Sequence, residues 1–313
     1  MTIMEHVYMH DSGRAGYQHR TSLSFFRSLG EIDIRALSDY LHEHAEGDLL
    51  PWRTQVAAAE RFHLPLATIE EAILTIGLLP ARYQRNRQTI SVGEQLQLFR
   101  SKVAVIGCGG LGGYIIEALA RLGVGEIIAV DPDVFVEHNL NRQLFATPGM
   151  LGCAKVEAAR RRVETINPAV TLVPMARSFT ETNGRDILNG AQVAVDALDN
   201  VTARLDLAEA CEELAIPLVH GAIGGWYGQV ASQFPGERTV QRIFAGRETG
   251  HGVEKELGNP SFTPAVVAGL EVAEVCKILL GTGVPLRNRK LTVDLLHMEI
   301  EEIPLVPGGG EAS

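Results

Sequence analysis

The stretch from Lys102 to Gly112, KVAVIGCGGLG, limits what this chain can fold into more than any other. Its continuous apolar run, KVAVIG, reads as a buried strand, and LGGYIIEALARLG after it reads as a helix. Between them Gly107-Cys108-Gly109-Gly110-Leu111-Gly112 fits G-x-G-x-x-G. Glycines there permit a tight turn and let a phosphate approach the backbone, while the helix N-terminus supplies N–H groups and partial positive charge. Asp131 ends the next strand, EIIAVD, 24 residues after Gly107, where its carboxylate is placed for ribose hydroxyls. These residues predict a nucleotide site. The competing explanation is a tight strand–helix packing turn.

From Val103 onward strands and helices alternate. A helix over 152–166 precedes the strand VTLVPM, and the strand AQVAVDAL precedes a helix over 201–214 and the strand PLVHGAI. GQVASQF reads as an extra strand. Residues 235–262 read as a Gly- and charge-rich loop, followed by a helix over 263–280 and the strands KLTVDLL and MEIEEIPL. Buried strands alternating with helices indicate the α/β class, with a doubly wound, mostly parallel, Rossmann-like sheet.

The pattern assigns residues 81–313 to that domain and residues 1–80 to a small N-terminal helical domain. Ile34, Leu37 and Leu41 stand at helical spacing, and two short helices flank a turn at Leu64-Pro65-Leu66, with Thr68 as the start of the second. This pair invites a helix-turn-helix reading. The second helix, however, carries Glu70 and Glu71 and no Arg or Lys to read bases, which favours a packing or docking module over DNA binding.

A formal net charge of -10 argues against broad binding to nucleic acid or a membrane surface. The N-terminal MTIMEHVYMHDSGR has no apolar core of a signal peptide, and no run of about 18 apolar residues predicts a membrane span. Five of the ten His fall in the first 44 residues, including His6 and His10, but without a carboxylate or thiolate cluster a solvated tail is the favoured reading. Cys108, Cys153, Cys211 and Cys276 form no C-x-x-C pair, so no structural zinc is expected. Four scattered cysteines suit reduced thiols and a cytoplasmic setting. Cys108 reads as a small packing residue, and the other three as facing helix interiors.

The residues after Asp131, DPDVFVEHNLNRQ, exceed what a hydride-transfer site needs. Asn139 and Arg142 follow closely enough to lie near the ribose and phosphates, and Lys155 opens the next helix. Asp196 and Asp199 end the fourth strand, at the sheet edge where ligands of such folds bind. Arg, Lys and an Asp that can hold Mg2+ suit a triphosphate, because they neutralise charge moving onto a leaving pyrophosphate. Individually, Arg142 could be a surface ion pair, Lys155 part of a solvated face with Arg160, Arg161 and Arg162, and Asp199-Asn200 a helix cap.

Together, RYQRN, GCGGLGG, DPDVFVEHNLNRQ, the Lys155 segment, DALDN and EVAEVCKILLG resemble the ThiF/MoeB/HesA adenylyltransferases, relatives of ubiquitin-activating enzymes, from about Arg82 to Leu305. The resemblance implies ATP-dependent adenylation of the C-terminal Gly-Gly carboxylate of a ubiquitin-like sulfur carrier, of molybdopterin, tungstopterin or thiamine type, with release of pyrophosphate. It implies that Gly107, Gly109, Gly110 and Gly112 cradle the nucleotide and that Asp131 holds the ribose. Asn139, Arg142 and Lys155 would bind phosphates, and Asp199 would position Mg2+. Arg85, second Arg of R-Y-x-R, would reach phosphate in the neighbouring protomer of a homodimer. The chain lacks the two C-x-x-C zinc pairs of many members and any Cys in its 235–262 loop, so adenylation without a covalent cysteine step is expected. The alternative is a nucleotide-dependent oxidoreductase or a degenerate nucleotide-binding module using only the glycine turn and Asp131.

Overall fold

The computed structural model describes residues 34–246 and 257–305. The stretch with His6 and His10, the middle of the 235–262 segment and the PGGGEAS tail lie outside them. The chain divides into two units, one ending at Arg85 and the other beginning at Asn86.

In the first unit, helices α1 (Ile34–Glu43), α2 (Trp52–Phe62) and α3 (Leu66–Thr75) close around Leu37, Leu41, Leu50, Ala58, Ile69 and Ile73. The strands β1 (Leu49–Leu50) and β2 (Leu79–Pro80) pair in parallel. Helix α3 begins directly after Pro65, whose fixed φ suits a helix entry, and no side chain caps it. Thr68 therefore lies inside the first turn and does not start the helix. Glu70 turns inward: it is 1% exposed, accepts the Tyr83 hydroxyl proton at 2.6 Å and lies 3.4 Å from Arg82. Burial raises its pKa. The acid that read as part of a helix-turn-helix face is thus a core residue held by two partners.

The second unit is built on one eight-stranded sheet. Its strands are β3 (Lys102–Ile106), β4 (Glu126–Val130), β5 (Thr171–Met175), β6 (Val193–Asp196), β7 (Leu218–Gly224), β8 (Tyr227–Gln233), β9 (Arg289–Asp294) and β10 (Glu299–Pro304), in the order β10-β9-β8-β7-β6-β3-β4-β5. Strands β5-β4-β3-β6-β7 are parallel, and β8, β9 and β10 extend them antiparallel. The fold is therefore α/β and Rossmann-like, with the order reversing between β3 and β6, where ligands of such sheets bind.

The apolar runs of the parallel strands are explained by burial on both faces. Val103 and Val105 point to one core, under α4 (Val92–Phe99), α5 (Gly110–Leu122), α6 (Lys155–Ile166) and α10 (Phe262–Leu280). Ala104 and Ile106 point to the other, under α7 (Gly184–Ile187), α8 (Val201–Glu213) and α9 (Thr239–Ile243). Helix α9 lies inside the segment that reads as loop, because Val240 and Ile243 bury against this second core. Helix α6 starts at Lys155 and not at 152: Gly152 takes a left-handed turn, and Ala154 bridges to Val134 before the helix begins. Cys153 consequently sits in that turn, half-buried, and not in a helix.

Helix α10 lays Glu271 on β7, where Gly221 has no side chain; a Cβ there would stand 2.2 Å from the Glu271 carboxyl carbon. Glu271 is fully buried, and neither carboxyl oxygen has a hydrogen-bond partner. Burial, with Asp196 adding to it, pushes its pKa well above 4.5. Below that raised value the native state carries it as the neutral acid. Between the unfolded value and the raised folded value the native state holds a proton that the unfolded chain has lost, so stability falls with rising pH across that window. Glu271→Gln is expected to remove this slope, gaining up to about 1.4 kcal/mol per pH unit relative to wild type above roughly pH 5. Urea denaturation of both proteins across pH 5–8 checks it, and parallel curves would refute it.

Candidate active site

Gly107 follows β3 with φ +101°, and its N–H donates to the Val130 carbonyl at 2.8 Å. A Cβ on Gly112 would stand 1.8 Å from the Gly107 carbonyl oxygen, so α5 can start this close to β3 only without a side chain there. Gly107, Gly109 and Gly110 line a cavity of about 500 Å³ at the carboxyl ends of the parallel strands. Gly112 is absent from that lining; its place is the packing of helix on turn. Gly109 stands at the N-cap of α5, where no side chain occupies the free N–H groups of the first turn.

Asp131, Arg142, Lys155 and Asp199 line the same cavity, brought there from four separate segments. Asp131 is 6% exposed and accepts from the Cys108 N–H at 2.7 Å and the Asp133 N–H at 2.9 Å, tying the strand end to the glycine turn. Burial raises its pKa, with Lys155 and these donors opposing. Two of its roughly four lone-pair positions remain for a ligand. Lys155, 6% exposed, places its ammonium 2.9 Å from Asp133 and 3.8 Å from Asp131. The solvated-face reading fits Arg160, Arg161 and Arg162, which pair with Glu157, Glu164 and Glu117, but not Lys155.

Arg142 donates to the His138 carbonyl at 3.0 Å and Asn141 Oδ1 at 2.9 Å. Burial lowers its pKa, and Asp199 opposes that shift. The helix cap of α8 is Asn200, whose side chain accepts from the Ala203 N–H at 3.1 Å, leaving the exposed Asp199 carboxylate to the cavity.

Asn139 does not line the cavity. It is 4% exposed and its Oδ1 accepts from the Val136 N–H at 3.0 Å, while its carbonyl accepts from the N–H groups of Arg142 and Gln143. It fixes the turn that carries Arg142. Arg85 lies exposed at the end of the first unit, in the turn after the short 3-10 segment Ala81–Tyr83. Asp196, read with Asp199 at the strand end, is fully buried and bonded to His220 at 2.7 Å. No group of three His, Cys, Asp or Glu arranged for a metal occurs among the described residues. Burial pushes the Cys108 thiol up, raises that of Cys211 and lifts Cys276 to about 11, so all three stay protonated at neutral pH.

Sequence reasoning missed Asp133, Gln143 and Arg204, all of which line the cavity. The first two stood inside DPDVFVEHNLNRQ. Arg204 lies one helical turn beyond Asn200, on the inner side of α8. A second cavity of about 370 Å³ lies over β7 to β10 and adjoins the first, with Asp199, Arg204 and Ile223 in the walls of both.

The ThiF family matches residues 83–308. A SAMP-activating enzyme E1 of Haloferax volcanii is 34% identical over 227 residues, covering 71% of this chain and 84% of that protein. A sulfur carrier protein adenylyltransferase of Thermus thermophilus is 34% identical over 232 residues, covering 71% of this chain and 86% of its own length. The crystal structure of E. coli MccB with ATP superposes with a TM-score of 0.62 at 21% identity over 80% of this chain and 82% of that one, which is likeness of fold.

Proposed function

The chain belongs to the ThiF family, and from that footing we propose that it is an ATP-dependent adenylyltransferase acting on the C-terminal Gly-Gly carboxylate of a ubiquitin-like sulfur carrier. The observation that carries this reading is that the two cavities adjoin, with Asp199, Arg204 and Ile223 in the walls of both. A glycine-turn site with Arg142 and Lys155 accommodates ATP, and the trough over β7 to β10 gives an extended tail a route to it.

The chemistry needs no general base, because the carboxylate is already ionised at neutral pH. One of its oxygens attacks the α-phosphorus of ATP. The bond to the bridging oxygen breaks, and pyrophosphate leaves with the electron pair. The work of the chain is positioning and charge compensation. Gly107, Gly109 and Gly110 admit the phosphates to the backbone, and Asp131 takes the ribose hydroxyls. Arg142 and Lys155 oppose the charge that grows on the leaving group.

Asp199 fits Mg2+, which commonly takes one or two carboxylates beside substrate phosphates and water. When bound, the ion would neutralise phosphate oxygens. Arg85 is assigned to the site of a neighbouring protomer. Exposed Val134, Val136, Leu144 and Leu151 on the segment carrying Arg142 offer apolar surface for such a homodimer. The four free cysteines suit a cytoplasmic setting, and no helix among the described residues is long and apolar enough to cross a membrane.

ATP–pyrophosphate exchange with carriers ending in Gly-Gly tests the proposal. Wild type should exchange only with carrier present, and Arg142→Ala should lose roughly 10²–10³-fold, about 3–4 kcal/mol of barrier. No exchange with any such carrier, together with tight NAD binding, would point instead to an oxidoreductase or a degenerate module.

A further inference from the structure

Strand register sets Ala222 of β7, Gln229 of β8, Thr292 of β9 and Glu301 of β10 in one row across the sheet, and that row lines the 370 Å³ trough. The carboxamide of Gln229 is held from both ends. Its Nε2 donates to His220 Nε2 at 3.2 Å, and its Oε1 accepts from Lys290 Nζ at 3.2 Å. The His220 bond has one polarity: Nδ1 lies 2.7 Å from Asp196 Oδ2, so Nδ1–H donates to that carboxylate and Nε2 is an acceptor. His220 is fully buried, and burial lowers its pKa, which keeps the ring neutral for that role. Turning the amide over would present an N–H to the ammonium and an oxygen to the imidazole lone pair, losing both bonds.

A carboxamide carries two N–H groups and two lone pairs. One of each is engaged here. One of each remains on a half-buried side chain in the trough wall. An extended peptide presents the N–H and C=O of one residue on the same side, which is the complement of such an amide. A tail that ends in two glycines offers no side chains near its terminus, so a site that recognises it must contact its main chain.

We propose that Gln229, oriented by His220 and Asp196, reads the main chain of the carrier tail as it lies in the trough. This rests on the carboxylate-activating reading above. Gln229 binds substrate directly, whereas His220 and Asp196 act through it as positioning residues.

The test uses the full-length enzyme and a semisynthetic ubiquitin-like sulfur carrier ending in Gly-Gly, with each of the last six peptide bonds replaced in turn by an ester. Gln229→Met, similar in shape but without the amide, should raise the KM for carrier about tenfold and leave the KM for ATP within about twofold. One ester position should weaken wild type by a similar factor and leave Gln229→Met unaffected. A purely structural Gln229 would not produce that coupling. An unchanged carrier KM in Gln229→Met, or equal sensitivity of both enzymes to every ester, overturns the role of Gln229 while adenylation stands. Absence of carrier-dependent exchange in wild type overturns both, and so the two failures are distinguishable.

Discussion

Lys155→Ala is expected to lower carrier-dependent pyrophosphate release by roughly 10²–10³-fold, the effect of removing one charge-stabilising donor from a preorganised site. Two consequences of the geometry add together. The substitution removes the ammonium proposed to face the phosphates, and it leaves the carboxylates of Asp131 and Asp133, now 3.8 Å and 2.9 Å from it, without their cation. The first should appear in kcat, and the second as a raised KM for ATP. Asp133→Asn on the Lys155→Ala background should then recover ATP affinity but not turnover. The Asp133 side chain is 64% exposed, so its ion pair contributes at most about 1 kcal/mol to stability, and the variant should stay folded. Steady-state kinetics beside a thermal melt separate these terms. Activity within threefold of wild type would mean that Lys155 holds Asp133 and not the phosphates.

Arg204→Met is expected to destabilise the fold by about 3–5 kcal/mol, the usual loss when one partner of a buried charge pair is removed. Its guanidinium donates to the Gly221 carbonyl at 3.0 Å and to the Leu198 carbonyl, and lies 3.8 Å from Asp196, which is wholly buried. Met fills much of the volume but leaves Asp196 with only His220 and the Leu198 N–H to compensate its charge. Asp196→Asn added to Arg204→Met should restore part of the loss, since the uncompensated charge goes with it. Urea midpoints of the two single variants and the double variant measure this directly. Equal destabilisation in all three would assign the loss to packing.

The parallel half of the sheet was legible because strands buried on both faces must be apolar throughout, as Val103 to Ile106 are. The phosphate turn was legible because its steric demands fall on residues close in sequence. Gly107 and Gly112 touch, and Asp131 reaches back to the Cys108 N–H. Arg142, Lys155 and Asp199 reached the same cavity because each follows a parallel strand whose carboxyl end faces it. Asn139 escaped this logic because a short polar side chain can satisfy its own turn. Gln229, His220, Arg204 and Lys290 were invisible for a different reason, as was the burial of Asp196 against His220. They lie on different strands and a helix, and only the register of β6 to β9 makes them neighbours. The inward turn of Glu70 likewise depends on Tyr83 and Arg82 folding back over it.

A sheet of eight strands has two outer margins, and each carries a built-in refusal. On β5, Pro174 has no N–H to offer an incoming strand. On β10, Glu299 and Glu301 set two negative charges on one face of an exposed run that also carries Ile300 and Ile303. Two copies meeting there would bring like charges together at strand spacing, which opposes fibre-like stacking until salt screens the repulsion.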